Sequence, residues 1–209
     1  MSFKQTISQQ FFARPTLIVA RDLIGKVLVC RLAEGIRRYR ITEVEAYCGT
    51  KDLACHTSPG RNQLLHSRGN LIGRVISNGA SKGKTKRTEV MFGPAGYVYV
   101  YLIYGMYYCL NLVTAGQDQG EAVLIRAVEP LFETTDWPVG PGRLCKYLQI
   151  DKSFNGAKLG RKVGLWVEDS SYTVKSSDIK SSTRRGVAYA KDYAQKPWRF
   201  YLSNNNFVS

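Results

Sequence analysis

GYVYVYLIYGMYYCLNLV, residues 96–113, decides how this chain folds. Tyrosines stand at 97, 99, 101, 104, 107 and 108, and through the first half they alternate with valine or leucine. That two-residue period belongs to a strand, because successive side chains of an extended chain point to opposite faces. It breaks at Tyr104-Gly105, where glycine can take φ > 0. A β-hairpin is expected, with residues 97–103 and 106–113 as its arms and an aromatic side chain at its tip. Tyrosine and valine are good strand formers, so by itself such a hairpin reads as half-buried sheet. The rest of the chain adds a second reading. Thirty Lys and Arg against 16 Asp and Glu leave a net charge of +14, and nucleic acid is the polyanion such a charge favours. An exposed aromatic at a turn of a cationic protein resembles the wedge that base-flipping proteins push between base steps.

The length, 209 residues, suits one domain spanning 1–209. No apolar run approaches the roughly 18 residues needed to span a bilayer, and no basic amphipathic helix stands out, so no membrane partner is expected. The opening MSFKQTISQQFF lacks a secretory layout, so a reducing, intracellular compartment, cytoplasmic or nuclear, is expected, with Cys30, Cys48, Cys55, Cys109 and Cys145 as free thiols. Cys48, Cys55 and His56 lie close together, but there is no C-x-x-C pair and the other histidine is His66, so no metal site is expected. Gly83-Lys84-Thr85 only superficially resembles the end of a phosphate-binding loop, and no nucleotide or organic cofactor is implied.

Proline at 15, apolar residues at 17, 18, 20, 23 and 24 and Gly25 as a stop predict a short core-facing helix over 15–24. Strands are expected over 26–32 and 35–47, joined at Ala33-Glu34-Gly35. The second ends in TEVEAY, which puts Glu43, Glu45 and Tyr47 on one face. Spacing alone favours an exposed edge with two solvated glutamates over a catalytic pair. Residues 53–88 contain no Asp or Glu but carry Arg61, Arg68, Arg74, Lys82, Lys84, Lys86 and Arg87, a loop that wraps phosphates or a solvated linker. The apolar run 121–128 contains Arg126, and a cation on a buried strand needs a carboxylate or an ordered water. Gly140-Pro141-Gly142-Arg143 is read as opening a short helix over 144–149, whose free N–H groups with Arg143 suit a phosphate, and Lys152 follows just beyond. Residues 183–187 read as a loop near the site and 195–201 as a final strand.

Taken together, ARDLIGKVLV (20–29), ITEVEAY (41–47), Ala54–His56, RTEVMFG (87–93), YVYLIYGMYYCLN (99–111), AVLIRAVEP (122–130), 140–154 and 195–201 resemble the alkyladenine (3-methyladenine, methylpurine) DNA glycosylases, in the family's order over nearly the whole chain. The resemblance implies an α+β fold: a single mixed α/β domain around a curved antiparallel sheet with a protruding β-hairpin. It also implies roles. Tyr104 would enter the minor groove with Met106 beside it; Tyr47, His56 and Tyr101 would sandwich the flipped base; Asn111 would police its edge. Glu45 with Arg126 would hold the water that attacks C1′. From the basic clustering and the helix N-terminus rather than from the resemblance, Arg61, Arg87, Arg143 and Lys152 are expected to meet the DNA backbone. The sequence departs from the family at 65–84, which looks inserted, at the short segment after Pro130, and at Arg185, where the family has an aliphatic residue against the pocket. That part of the chain could still offer a backbone carbonyl to the water.

An alkylated purine is a cationic and hence good leaving group, so a base for water beside a place that stabilises an oxocarbenium-like sugar suffices. No lysine falls at a pocket position, so water is the expected nucleophile and no lyase step is expected. The expected protein is thus a monomeric, monofunctional glycosylase of base-excision repair, acting on 3-methyladenine and on related lesions such as 7-methylguanine, hypoxanthine and ethenoadenine. A non-enzymatic nucleic-acid binder using the same tyrosine-tipped face is the alternative, and a duplex-RNA-associated domain is a third.

Overall fold

The 13-residue run Gly35–Tyr47 forms the longest strand, β2, and the axis of the sheet. The computed structural model describes residues 5–59, 83–134, 137, 140–170 and 172–209. Strand β1 (Val27–Leu32) precedes β2; after it come β3 (Val98–Ile103), β4 (Tyr107–Thr114), β5 (Glu121–Pro130), β6 (Leu165–Glu168), β7 (Ile179–Ser182) and β8 (Arg199–Leu202). They join one antiparallel sheet in the order β3-β4-β5-β2-β1-β6, with β8 added to β2 and β7 to β8. Helices α1 (Gln9–Phe12), α2 (Thr16–Leu23) and α3 (Pro141–Tyr147) complete an α+β fold, as the sequence leads one to expect.

Antiparallel pairing satisfies the backbone along both edges of β2: β1 pairs its first half, β8 pairs Glu43–Glu45, and β5 runs along its other side. Between Ile41 and Val44 the register with β5 slips around Glu43, a bulge of the kind that bends a strand and re-aims its side chains. Val44 and Ala46 enter the main core with Leu110, Leu112, Val123 and Ile125, which is closed by Val19 and Leu23 of α2 and Leu144 of α3. The face with Glu43 and Glu45 is closed too, for both residues are fully buried. The solvated edge favoured by spacing is therefore overturned, because β2 has partners on both sides and its charges are matched inside the protein.

Helix α3 begins three residues earlier than the expected 144, at Pro141. Proline needs no N–H partner at a first helical position, and Gln149, at φ 55, lies beyond the end. The helix approaches the hairpin so closely that a Cβ on Gly142 would lie 2.7 Å from Tyr107 Cβ. The final strand is likewise shorter than the expected 195–201, since residues through Gln195 form a 3-10 segment. All five cysteines are free. Arg61 and most of the basic stretch 65–84, with Arg68, Arg74 and Lys82, lie outside the described residues.

Candidate active site

The hairpin reading of residues 96–113 holds, with β3 and β4 in register from Val98↔Leu112 to Ile103↔Tyr107. Met106 N–H donates to the Ile103 carbonyl, and the two residues between, Tyr104 (φ 54) and Gly105 (φ 70), both have positive φ, as a type I′ turn requires. Glycine adopts this freely, whereas a tyrosine there is strained by about 1–2 kcal/mol. The strained ring is 85% exposed, and Met106 beside it is 67% exposed. Packing does not account for either.

Beside the hairpin opens a cavity of about 460 Å³ lined by Glu45, Tyr47, His56, Tyr101, Tyr104, Asn111, Arg126, Arg143 and Arg185 among others. Residues drawn from β2, β3, β4, β5, α3 and two loops are thus gathered around one space of the size that small ligands occupy. Arg61 lies outside the described residues. Met106, Arg87 and Lys152 are exposed and outside the lining; Arg87 places its guanidinium 5.5 Å from the Tyr101 ring centre and donates to the Leu102 carbonyl at 3.4 Å.

At the floor, Glu45 Oε1 accepts the Arg185 backbone N–H at 2.7 Å and lies 3.3 Å from Arg126 Nη1, while Oε2 accepts the Tyr47 hydroxyl at 2.9 Å. Arg126 also donates through Nε to Glu43 Oε1 at 2.8 Å, and Arg199 Nε donates to the same oxygen at 2.6 Å. Ser209 N–H caps Glu43 Oε2 at 2.5 Å. Two carboxylates and two guanidiniums are so interleaved that each charge has an opposite neighbour. Burial opposes the Glu43 charge, but hydrogen bonds from Arg199 and Ser209 and the charge of Arg126 outweigh it and hold the carboxyl below its ordinary value. Burial also works against the Arg126 cation and is outweighed by Glu45 and then Glu43. Burial first, and then the Glu45 charge, push the Tyr47 phenol well up, so it remains a neutral donor.

The aromatic wall is built from three of these side chains. His56 and Tyr101 are in direct edge contact, with ring centres 4.4 Å apart, and His56 Nδ1 lies 3.0 Å from the Tyr99 hydroxyl. No flat ring fits between those two, so they act as one surface of the cavity and Tyr47 supplies another. Asn111 spends its Nδ2 hydrogens on the Tyr99 and Cys109 carbonyls at 3.1 and 3.2 Å, which leaves Oδ1 as its unspent group. Arg185 is exposed at the cavity rim, and its backbone N–H is the group it gives to Glu45.

In the sequence no role falls to Arg199 and Ser209, which hold Glu43, and although 183–187 reads as a loop near the site, nothing there reveals the buried pair Arg184–Asp52 behind Tyr47. Arg199 reads only as part of a strand, and nothing local distinguishes a buried arginine 132 residues from its carboxylate. Among the described residues no group of three or more His, Cys, Asp or Glu is arranged to hold a metal ion, and no helix is long and apolar enough to cross a membrane.

Comparison with known proteins adds an independent line. The family model described as methylpurine-DNA glycosylase matches residues 10–70 and 77–206. A protein of Legionella pneumophila (strain Corby) is 43% identical over 203 residues, which cover 97% of each chain. One from Bdellovibrio bacteriovorus is 41% identical over 97% of this chain and 98% of its own, and one from Methanocella arvoryzae is 42% identical over 97% and 95%. All three bear the name "Putative 3-methyladenine DNA glycosylase".

Proposed function

This chain belongs to the methylpurine-DNA glycosylase family, and from that premise we propose that it is a monofunctional glycosylase that flips an alkylated purine, 3-methyladenine foremost, out of duplex DNA and hydrolyses its N-glycosidic bond. The observation that carries the reading is Glu45: a fully buried carboxylate on the floor of an aromatic cavity, beside a hairpin that exposes a strained tyrosine.

A carboxylate offers about four lone-pair sites. Arg185 N–H and Arg126 occupy Oε1 and the Tyr47 hydroxyl occupies one site of Oε2, so Oε2 keeps capacity for one more donor, a water. In the proposed step that water's oxygen bonds to C1′ as the C1′–N9 bond breaks. The bonding pair passes to N9 and neutralises the cationic ring, which leaves as a free base, and the water's proton passes to Glu45. The negative charge of Glu45 also faces the oxocarbenium character that develops on the sugar. Stacking on Tyr47 and on the His56–Tyr101 surface, worth about 1–3 kcal/mol per base, helps offset unstacking from the duplex. Tyr104, already outside the fold, fills the space the nucleotide vacates, and the basic surface holds the phosphates.

A panel of duplexes with single defined lesions, scored for free base, tests this. Release of 3-methyladenine at a rate far above spontaneous loss is expected. Tight binding without release from any lesion would make the chain a DNA-binding protein instead, and comparable binding to duplex RNA with no base flipping would make it an RNA-associated domain.

A further inference from the structure

Apart from the Glu43–Glu45–Arg126–Arg199 cluster, the structure carries another buried ion pair, which takes no part in the chemistry above. Arg184 and Asp52 are both nearly or wholly buried, and they meet as a two-pronged pair, Nη1 to Oδ2 at 2.6 Å and Nη2 to Oδ1 at 2.9 Å. The other prongs are spent as well. Arg184 Nη1 donates to the Ala46 carbonyl at 2.9 Å and Nη2 to the Tyr193 carbonyl at 3.2 Å. Asp52 accepts the Cys48 and Ala54 backbone N–H groups at 3.1 and 3.0 Å. The guanidinium carbon lies 4.8 Å from the Tyr47 ring centre and 5.0 Å from that of Trp198, and the Arg184 Nε has no hydrogen-bond partner among the described residues.

These contacts converge on the groups that set the site. Ala46 lies between Glu45 and Tyr47 on β2; Ala54 lies two residues before His56; Arg184 immediately precedes the residue whose N–H meets Glu45. We infer that the Arg184–Asp52 pair is a positioning device for the reaction, which holds the Tyr47 ring against a guanidinium and fixes the Arg185 N–H on Glu45 Oε1. This rests on the glycosylase reading for its kinetic consequence, but not for its geometric one. Arg184 is a positioning residue, for nothing places it against the reacting atoms. A planar five-donor fork is required because the group bonds two carboxylate oxygens and two carbonyls while lying beside aromatic rings, and a lysine ammonium cannot do that.

The test uses the charge-balanced double variant Asp52→Asn with Arg184→Gln, which leaves no unpaired buried charge, and Arg184→Lys as a milder second variant. Two readouts are taken on the full chain: single-turnover base release at saturating enzyme with affinity for a duplex carrying a tetrahydrofuran abasic analogue, and hydrogen exchange at the Arg185 amide. Misplacement of a catalytic group by about 1 Å can cost on the order of 100-fold in rate. We expect the double variant to release base about 100-fold more slowly and Arg184→Lys about 10-fold, with affinity within about threefold of wild type. The Arg185 amide should lose protection by more than the change in global stability explains. Rate loss that only tracks the unfolded fraction, equal reductions in rate and affinity, or unchanged Arg185 protection would overturn the inference. If wild type releases no base, the glycosylase reading fails, and the exchange measurement still decides the positioning. Should the double variant not fold, Arg184→Lys decides by the same two readouts.

Discussion

Replacing Glu45 by glutamine separates chemistry from architecture in this site. The side chain keeps its shape, and its carbonyl oxygen can still accept the Arg185 N–H now at 2.7 Å from Oε1. The charge is lost, yet Arg126 keeps Glu43 at 2.8 Å, so no buried cation is left without a carboxylate. The penalty of about 3–5 kcal/mol that follows the breaking of a buried pair is therefore avoided, and stability should change by no more than about 1–2 kcal/mol. A proton acceptor in the transition state is worth about 100- to 10,000-fold, which corresponds to about 3–5 kcal/mol of barrier. Single-turnover release of base from an alkylated duplex, at enzyme concentrations that bind all the DNA, isolates that step. The expected outcome is a loss of at least about 100-fold with affinity for an abasic-analogue duplex within a few-fold of wild type. Wild-type release by Glu45→Gln would refute the role of the carboxylate. A rate loss that merely follows weakened DNA binding would refute the separation of roles.

Tyr104→Gly removes an exposed ring from a positive-φ position. Thermal melting should show equal or higher stability, by about 1 kcal/mol, while affinity for lesion duplex falls by about 1–3 kcal/mol; a lower melting temperature would mean the ring holds the fold together. Glu43→Gln leaves Arg199 without its carboxylate and should cost about 3–5 kcal/mol. Because the Glu43 carboxyl titrates below its ordinary value of 4.5 in the folded protein, its stabilising effect is complete above that value and is lost as pH falls toward the depressed one. The melting temperature of wild type should accordingly drop more steeply than that of Glu43→Gln as the buffer is taken from about pH 5 to about pH 3; parallel curves would exclude the effect. Neutralising Lys84, Lys86 and Arg87 should flatten the dependence of log affinity on log salt by about 0.9 for each phosphate that these side chains neutralise in the wild type. An unchanged slope would mean that this part of the chain does not touch the DNA backbone.

The parts legible in the sequence are those written in local patterns. Alternation of tyrosine with aliphatic residues over 97–103 and glycine at 105 suffice for the hairpin, and Arg126 inside an apolar run announces a buried partner, a carboxylate or a water, which the fold supplies as Glu43 and Glu45. What stays hidden depends on chain segments brought together over long separations. Glu43 and Glu45 look solvated because nothing near them shows that β8 pairs with β2 or that Ser209 reaches Glu43 across 166 positions. The bulge around Glu43, which aligns both glutamates with Arg126, has no glycine or proline to signal it. Helix α3 starts earlier than its pattern suggests because Gly142 looks like a loop residue, whereas its missing side chain is what admits Tyr107. Arg184 and Arg185 are adjacent and chemically identical, yet one is sealed behind Tyr47 and the other stands at the rim, a distinction set wholly by packing.

The most direct test of the proposed chemistry is base release from an alkylated duplex in water enriched in heavy oxygen, followed by mass analysis of the DNA product. Wild type should yield free purine, an unbroken strand and an abasic site with one heavy oxygen at C1′, and Glu45→Gln should form almost none of that site. A product trapped on the protein by borohydride, or a strand cleaved at the lesion, would contradict it.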